Sequence, residues 1–228
     1  MYANHKISEL RTELLKLGLD TKGGKEELIK RLEGDNDAKI IVIDLETNGF
    51  PKRKGFDKYY SPEELDKYDT SRIVEIAYII YSEDGEIIKE VDHLVKPNNF
   101  RIPNSNFHGI TYEMANTDGK NMSEILDELE RDLNGIEIIV SHNINFDYNI
   151  LLSECHRINK ISAAELLIAL NKQCTMKIGQ NYMKMQKSPK LTELYAYLFR
   201  KRLVQSHRAL PDAKSCGECY FKMLAHFA

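Results

Sequence analysis

The feature that most constrains the fold is a run of four apolar residues, Ile40 to Ile43, that leads directly into Asp44-Leu45-Glu46. A short continuous apolar run that ends in charge is typical of a central strand buried on both faces. Such a strand needs covering layers on both sides of its sheet. The run therefore favours an α/β fold.

The residues after this strand predict a mixed sheet flanked by helices. Residues 72–81 and 86–95 have strand patterns and are joined by Asp84-Gly85, a strong hairpin signal. Another short apolar run, Ile138 to Val140, predicts a buried strand of the parallel type. Helical patterns begin at Ser123 and recur near residues 147–157, 162–171, 191–200 and 211–227.

The N-terminal segment has a different pattern. Residues 5–33 carry helical periodicity in two short stretches, with Gly18 as a candidate C-cap and a turn at Thr21 to Gly24. Gly34 to Asp37 is a polar linker. We therefore expect a small all-α helical hairpin with its linker over residues 1–36 and a larger α/β domain over residues 37–228.

Composition limits where the chain acts and what it binds. The formal net charge of the 228 residues is −3, so nucleic acid would have to bind through local basic surfaces or through metal ions. One basic segment, Lys184 to Arg202, could contact a phosphate backbone, although a solvated helix face explains it equally well.

Other bulk features predict an intracellular protein with no membrane segment. No apolar stretch is long enough to cross a bilayer, and the first ten residues lack the apolar core of a secretory signal. The four cysteines are irregularly spaced, which indicates reduced thiols. We read Cys216 and Cys219 as buried thiols of a helix face, because no second pair completes a zinc site.

Asp44 and Glu46 are the first candidates for chemistry. Alternation along an extended chain puts both carboxylates on one side of the strand, where they repel each other unless a cation neutralises them. Hard oxygen ligands on a rigid element are what Mg²⁺ or Mn²⁺ requires. From this pair alone, a strand that merely surfaces into a charged loop is an equal alternative.

Two later segments carry further candidates. Asp147 opens a helix directly after the strand that ends at Val140, although acidic residues are common at helix N-termini without any site. Asp212 follows Pro211 in the first turn of another helix, and His207 lies five residues before it in a loop. That spacing would allow a base beside a metal ligand.

The order of these motifs resembles the DEDDh exonucleases of the DnaQ-like type, such as the proofreading epsilon subunit of bacterial DNA polymerase III. The resemblance covers about residues 39–227, and the matching residues are Asp44, Glu46, Asn143, Phe146, Asp147, His207 and Asp212. It implies a ribonuclease H-like fold and metal-dependent 3′→5′ exonuclease activity that releases nucleoside 5′-monophosphates. One motif alone is weak, but three in this order and strand context are specific.

The resemblance also implies the roles of the residues. Asp44, Glu46 and Asp212 would hold one divalent cation, Mg²⁺ or Mn²⁺, and Asp44 with Asp147 a second about 4 Å away. His207 would accept the proton of the attacking water. The groups that resemble those receiving the terminal nucleotide are Thr47, His108, Asn143 and Phe146.

Residues 5–33 resemble a SAP domain through Leu14, Gly18, Leu19, Gly24, Lys25, Leu28, Arg31 and Leu32. Such modules bind nucleic acid largely through backbone contacts. We therefore expect a single-stranded 3′ end as substrate, with DNA favoured over RNA, and a replication or repair protein as a candidate partner. A SAP-guided exoribonuclease is the alternative within the enzyme class, and a non-catalytic nucleic-acid-binding protein is the alternative outside it.

The residues from Pro51 to about Tyr68 form a longer, charged and aromatic link than is common in this family. The link could contact substrate, but a solvated loop is the commoner case.

Overall fold

The computed structural model describes residues 2, 4–16, 19, 21–33, 39–204 and 207–227. The chain forms two compact units, Met1–Ala38 and Lys39–Ala228. The polar linker predicted at residues 34–37 and the C-cap predicted at Gly18 lie outside the described residues.

The smaller unit is a pair of helices, α1 (Ile7–Lys16) and α2 (Lys25–Glu33). Its core consists of Leu10, Leu14 and Leu28, each fully buried. These leucines come from one face of each helix, so the predicted helical hairpin is present.

The larger unit contains seven strands and eight α-helices within its described residues. In chain order these are β1 (Lys39–Thr47), β2 (Arg53–Gly55), β3 (Lys58–Tyr59), β4 (Ile73–Tyr81), β5 (Ile87–Leu94), α3 (Ser105–His108), α4 (Tyr112–Asp118), α5 (Met122–Asp132), β6 (Ile136–Ser141), α6 (Ile144–Arg157), α7 (Ile161–Ala169), β7 (Asn171–Cys174), α8 (Thr175–Tyr182), α9 (Leu191–Phe199) and α10 (Ala209–Phe227).

Five of these strands form one mixed sheet in the order β5-β4-β1-β6-β7. Strand β1 pairs antiparallel with β4 and parallel with β6, so it lies at the centre, as its apolar run predicts. Strands β4 and β5 form the predicted antiparallel hairpin, whose turn contains Gly85 in the left-handed region (φ 86°). The other two strands, β2 and β3, form a separate small hairpin.

Successive side chains of β1 point to opposite faces of the sheet, and each face packs into its own hydrophobic core. Ile41 and Ile43 pack with residues of α5, α6 and α7. Ile40 and Val42 face the other way and pack with residues of α9 and α10. The helices therefore cover both faces, which explains why β1 has no polar residue between Lys39 and Asp44.

Six strands and α-helices of the larger unit were not predicted from the sequence: β2, β3, α3, α4, β7 and α8. Strand β7 has the residues Asn-Lys-Gln-Cys, without an apolar alternation, because it is a sheet edge paired only with β6. Helix α8 follows it directly and has mostly polar residues. The helix predicted to continue to residue 171 ends at Ala169, where this strand begins to form.

Among the described residues, no helix has the length and apolar content that crossing a membrane requires. All four cysteines are free and buried, as expected for thiols packed in the core. No group of three potential ligands surrounds Cys216 and Cys219 within the described part of the chain.

Candidate active site

The central strand β1 carries two carboxylates on the face that packs against helix α10. Asp44 and Glu46 are on the same face of β1 as Ile40 and Val42, which pack against that helix. Asp212 lies in the first turn of α10 and is buried. As a result, carboxylate oxygens of Asp44, Glu46 and Asp212 lie within 4.8 Å of one another.

Asp147 approaches this cluster from the end of β6. Its carboxylate accepts hydrogen bonds from the Ser141 hydroxyl and from the backbone N–H of Leu45, so it is tied to both β6 and β1. Asn143 adopts a left-handed conformation (φ 83°) at the start of α6 and turns the chain from the strand into the helix. Asparagine tolerates this conformation better than most residues.

The carboxylates raise one another's pKa. Burial is the largest cause for Asp44, and the charges of Asp147, Asp212 and Glu46 add to it, so the pKa of Asp44 lies well above its usual range. Burial and the charge of Asp212 likewise raise the pKa of Glu46 to about 8. Burial also raises the pKa of Asp147, although its hydrogen bonds oppose the rise.

This donor set fits a hard divalent cation. The three clustered residues supply only carboxylate oxygens, which suit Mg²⁺ or Mn²⁺. Several partly buried carboxylates at such short range are stable in their charged forms only when a cation neutralises them. Within the described residues, no other group of three His, Cys, Asp or Glu side chains has this arrangement.

An ion pair between Glu75 and Arg208 holds the start of α10, the segment that carries Asp212. No sequence pattern had indicated this pair. Glu75 on β4 is directly opposite Glu46 and is fully buried. Its Oε1 accepts hydrogen bonds from Arg208 (Nε at 2.8 Å), and its Oε2 accepts from the backbone N–H of Ala209 at 2.8 Å. Arg208 directly precedes α10, and Ala209 is the first residue of this helix. Glu75 therefore fixes the position of Asp212 in α10 and of His207 just before it.

The carboxylates open into a cavity of about 530 Å³. Besides Leu45 and Gly49, its lining has a hydroxyl (Thr47), three phenylalanines (Phe50, Phe107, Phe146), two asparagines (Asn104, Asn106) and two histidines (His142, His207). A cavity with acidic residues at its base and aromatic rings at its rim can hold a charged ligand that carries a flat group.

The two histidines in this cavity differ in what they contact. Nδ1 of His142 lies 2.9 Å from the Thr175 hydroxyl, and Nε2 lies 3.1 Å from the Pro189 carbonyl. Both ring nitrogens of His142 are therefore already within hydrogen-bond distance of protein groups. Burial lowers its pKa to about 4. His207 makes no hydrogen bond to any residue that the structure describes, and its ring packs against Phe107 at 4.2 Å between centroids. Only His207 therefore has ring nitrogens available for a proton from the cavity.

The predicted nucleotide-binding residues divide into two pairs. Thr47 and Phe146 line the cavity. Asn143 does not, and its backbone conformation accounts for its identity. His108 also lies outside the lining and is buried, with Nδ1 accepting the backbone N–H of Ile110 at 3.1 Å. The substrate roles of Asn143 and His108 stay predictions without support from this geometry.

Two aromatic residues of the cavity were not predicted from the sequence. Phe50 is 73% exposed and Phe107 59% exposed, both unusual for phenylalanine. Each is close to a predicted substrate residue: Phe50 follows Thr47 by three positions, and Phe107 precedes His108. Their signal was proximity in sequence, but an isolated aromatic residue in a loop is not specific.

Comparison with known proteins identifies the family. The RNase_T exonuclease family model matches residues 41–220, and the SAP domain model matches residues 1–35. The epsilon subunit of DNA polymerase III from Treponema pallidum is 26% identical over 166 residues, which are 71% of this chain and 73% of that protein. The PolC-type DNA polymerase III of Caldanaerobacter subterraneus is 25% identical over 84% of this chain, but only 12% of that protein is covered.

Solved structures show the same fold. A 3′-exonuclease solved with the histone mRNA stem-loop superposes with a TM-score of 0.60 at 17% identity, over 98% of this chain and 81% of that one. Exonuclease I of E. coli with a dA16 oligonucleotide superposes with a TM-score of 0.64 at 14% identity, over 82% of this chain and 41% of that one.

These matches confirm the predicted ribonuclease H-like fold and the 3′→5′ exonuclease with an N-terminal SAP domain. The family match spans more than half of the chain. The protein therefore belongs to the RNase_T exonuclease family.

Proposed function

We propose that this exonuclease removes nucleoside 5′-monophosphates from the 3′ ends of DNA with two divalent cations, Mg²⁺ or Mn²⁺. The observation that carries the proposal is the convergence of Asp44, Glu46 and Asp212 within 4.8 Å beside Asp147, in one cavity with His207. In this reaction, water attacks the last phosphodiester, the bond from phosphorus to the preceding 3′ oxygen breaks, and the terminal nucleotide leaves with its 5′ phosphate.

The carboxylates divide the cation-binding work in this proposal. Asp44, Glu46 and Asp212 would hold one cation, and Asp44 with Asp147 would hold the other. When bound, such cations neutralise the phosphate oxygens and supply a nucleophilic water at neutral pH. Strand β1 carries two of the ligands, and a strand at the centre of a sheet is rigid enough to fix their spacing.

His207 is the general base in this proposal. It is the cavity histidine without a hydrogen bond to the described residues, and imidazole can accept a proton near neutral pH. The Glu75–Arg208 pair fixes the backbone directly after it, and Phe107 limits the rotation of its ring. Both contacts reduce the freedom that a base must lose before it can act.

The aromatic residues of the cavity suit the terminal base. Phe50 and Phe146 lie 6.1 Å apart between ring centroids, and Phe107 contributes the third ring. Aromatic faces stack on any base, so this part of the cavity accepts nucleotides without strong sequence preference. Thr47 follows Glu46 and lines the same cavity, and we assign it a contact with the sugar.

DNA is the proposed substrate because the curated relatives are DNA polymerase III proteins. RNA is the second candidate, because a similar 3′-exonuclease was solved with the histone mRNA stem-loop and superposes over nearly the whole of this chain. We also propose that the SAP unit binds the nucleic-acid backbone, that the domains divide near residue 36, that the protein is intracellular, and that a replication or repair protein recruits it.

The experiment that tests these proposals uses 5′-labelled single-stranded DNA, duplex DNA and RNA of one sequence, incubated with Mg²⁺, with Mn²⁺ or with a chelator. We expect a ladder that shortens from the 3′ end, mononucleotide products, faster loss of DNA, and no reaction with the chelator. Asp44→Asn is the matched control, since it keeps the shape of the side chain and removes its charge. Equal activity of Asp44→Asn and the parent would exclude the proposed cation site.

Two outcomes would favour the alternatives. Faster digestion of RNA than of DNA would make the protein an exoribonuclease. Binding of labelled strands without any shortening under every cation condition would make it a non-catalytic nucleic-acid-binding protein.

A further inference from the structure

The link between β1 and β4 is an ordered segment held by packing and hydrogen bonds. Tyr68 near its end is fully buried in the main core, and its hydroxyl donates a hydrogen bond to the Tyr60 carbonyl at 2.7 Å. The backbone N–H of Lys52 donates to the Lys67 carbonyl at 2.8 Å, which closes the base of the link. Between these ties the chain forms the β2–β3 hairpin, residues 53–59.

The tip of this hairpin is fastened beside the candidate active site. Asp57 at the tip accepts a hydrogen bond from the Asn145 side chain at 3.0 Å and pairs with Lys177 at 3.0 Å. Asn145 is in the first turn of α6, next to the cavity residue Phe146 and two residues before Asp147. The hairpin tip therefore lies at the edge of the cavity.

The hairpin exposes an aromatic ring and positive charge at this edge. Phe56, the tip residue next to Asp57, is 95% exposed, and its ring contacts no other ring among the residues that the structure describes. Residues 52–58 contain four basic side chains and one acidic side chain, and that acid already pairs with Lys177. Neither Lys52 nor Lys58 has an ion pair with any described residue.

We propose that the β2–β3 hairpin, together with Lys52 directly before it, binds the single-stranded part of the substrate just upstream of its terminal nucleotide, with Phe56 stacked on a base and Lys52 and Lys58 on phosphates. This inference rests on the proposed exonuclease function. Exposed aromatic rings among cations are how proteins hold single strands without reading their sequence. A protein partner with an apolar surface fits less well, because Phe56 stands alone among charged residues.

Kinetics on substrates of two lengths test this proposal in the full chain. For Phe56→Ala, we expect KM for a 12-nucleotide single strand to rise about 5- to 100-fold, the range that one lost base stack gives. The values of kcat and of KM for a dinucleotide should stay within twofold of the parent, because a dinucleotide does not reach the hairpin. The melting temperature should also be unchanged, since the ring is exposed. Tyr112→Ala, at an exposed aromatic residue outside the cavity, should behave as the parent.

Salt dependence tests the charged part of the proposal. Each cation that leaves a phosphate contact should reduce the slope of log affinity against log salt by about 0.7 for single strands. Lys52→Ala with Lys58→Ala should therefore flatten the slope by about 1.4, whereas Lys214→Ala, at a lysine paired with Glu90, should not change it. Binding can be measured by anisotropy of a labelled strand in an Asp44→Asn background, where digestion does not interfere.

The outcomes separate failure of this proposal from failure of the proposed function. If the parent digests both substrates and Phe56→Ala leaves KM for the long strand unchanged, the hairpin does not bind the strand. An equal rise of KM on both lengths would show that the hairpin shapes the cavity instead, which also overturns the proposal. If the parent digests nothing, the exonuclease proposal fails, and the anisotropy measurements still decide whether the hairpin binds single strands.

Discussion

At the scale of single residues, the proposed reaction depends on where His207 lies relative to the carboxylates. The imidazole is held from one side by Phe107 and from the other by the fixed backbone of Arg208 and Ala209. Its ring makes no hydrogen bond within the described residues. In the proposed mechanism His207 transfers a proton and contributes little to stability, so its removal should affect rate more than fold.

His207→Ala should reduce kcat by about 10²–10⁴-fold, the usual effect of losing a general base. Cation binding should persist, because the carboxylates of Asp44, Glu46 and Asp212 remain. Calorimetric titration with Mn²⁺ separates the two properties. Loss of Mn²⁺ binding in this variant would show that the histidine is a ligand, and the proposed base would then be wrong.

At the scale of elements, the sheet and helix α10 meet through the pair of Glu75 and Arg208. The two partners differ in exposure: the Glu75 side chain is fully buried, whereas that of Arg208 is 38% exposed. An arginine that loses its partner can turn toward water, but a buried glutamate cannot. The two substitutions should therefore have unequal effects.

Arg208→Ala should lower the free energy of unfolding by roughly 3–5 kcal/mol, because it leaves an uncompensated buried charge. Glu75→Gln should cost less, about 1–3 kcal/mol, because the amide oxygen can still accept a hydrogen bond. Denaturant unfolding measures both. The activity of Glu75→Gln should fall with little change in KM, since the pair positions catalytic groups. If both variants lowered the free energy of unfolding equally, the expected difference between them would be contradicted.

At the scale of the whole molecule, the carboxylate cluster links stability to pH. The pKa of Glu46 is about 8 in the folded protein and 4.5 in its ordinary state, so the folded protein holds this proton more tightly. Its contribution to stability is complete below about pH 4.5 and is lost as pH rises through about 8.

The metal-free protein should therefore lose a few kcal/mol of stability between pH 5 and pH 8.5. Saturating Mn²⁺ should oppose this loss, because cations bind the deprotonated carboxylates. Glu46→Gln is the matched control: it should be more stable than the parent at pH 8.5 and should depend less on pH. Thermal unfolding across this range, with and without Mn²⁺, gives the answer. A metal-free parent whose stability rises with pH would contradict the prediction.

The division of the chain into two units gives another prediction at this scale. All the candidate catalytic residues lie in Lys39–Ala228, so removal of residues 1–38 should leave kcat/KM for a short oligonucleotide nearly unchanged. Long substrates should be digested less efficiently, because a tethered second binding site raises effective concentration only when the substrate reaches both. The difference should shrink at high salt. An equal loss on both lengths would mean that the helical hairpin supports the catalytic fold.

The sequence determined the central strand, the β4–β5 hairpin and the candidate carboxylates, because each has a local signature. Periodicity, turn residues and motif order depend only on neighbours along the chain. The resemblance to a known family predicted Thr47, Phe146 and His207 as site residues, and all three line the cavity. Strand β7 has polar residues without an apolar alternation, so no local pattern indicated a strand there.

Only the tertiary structure decided which of these residues meet. Glu75 appeared as an ordinary strand residue until its pairing with Arg208, 133 positions away, showed what it holds. His108 and Asn143 matched a motif but lie outside the cavity, and Phe50 and Phe107 line it without belonging to a motif. The raised pKa of Glu46 likewise has its causes in burial and in charges from distant segments. Contacts between distant segments depend on how the layers pack, and no pattern of neighbouring residues encodes them.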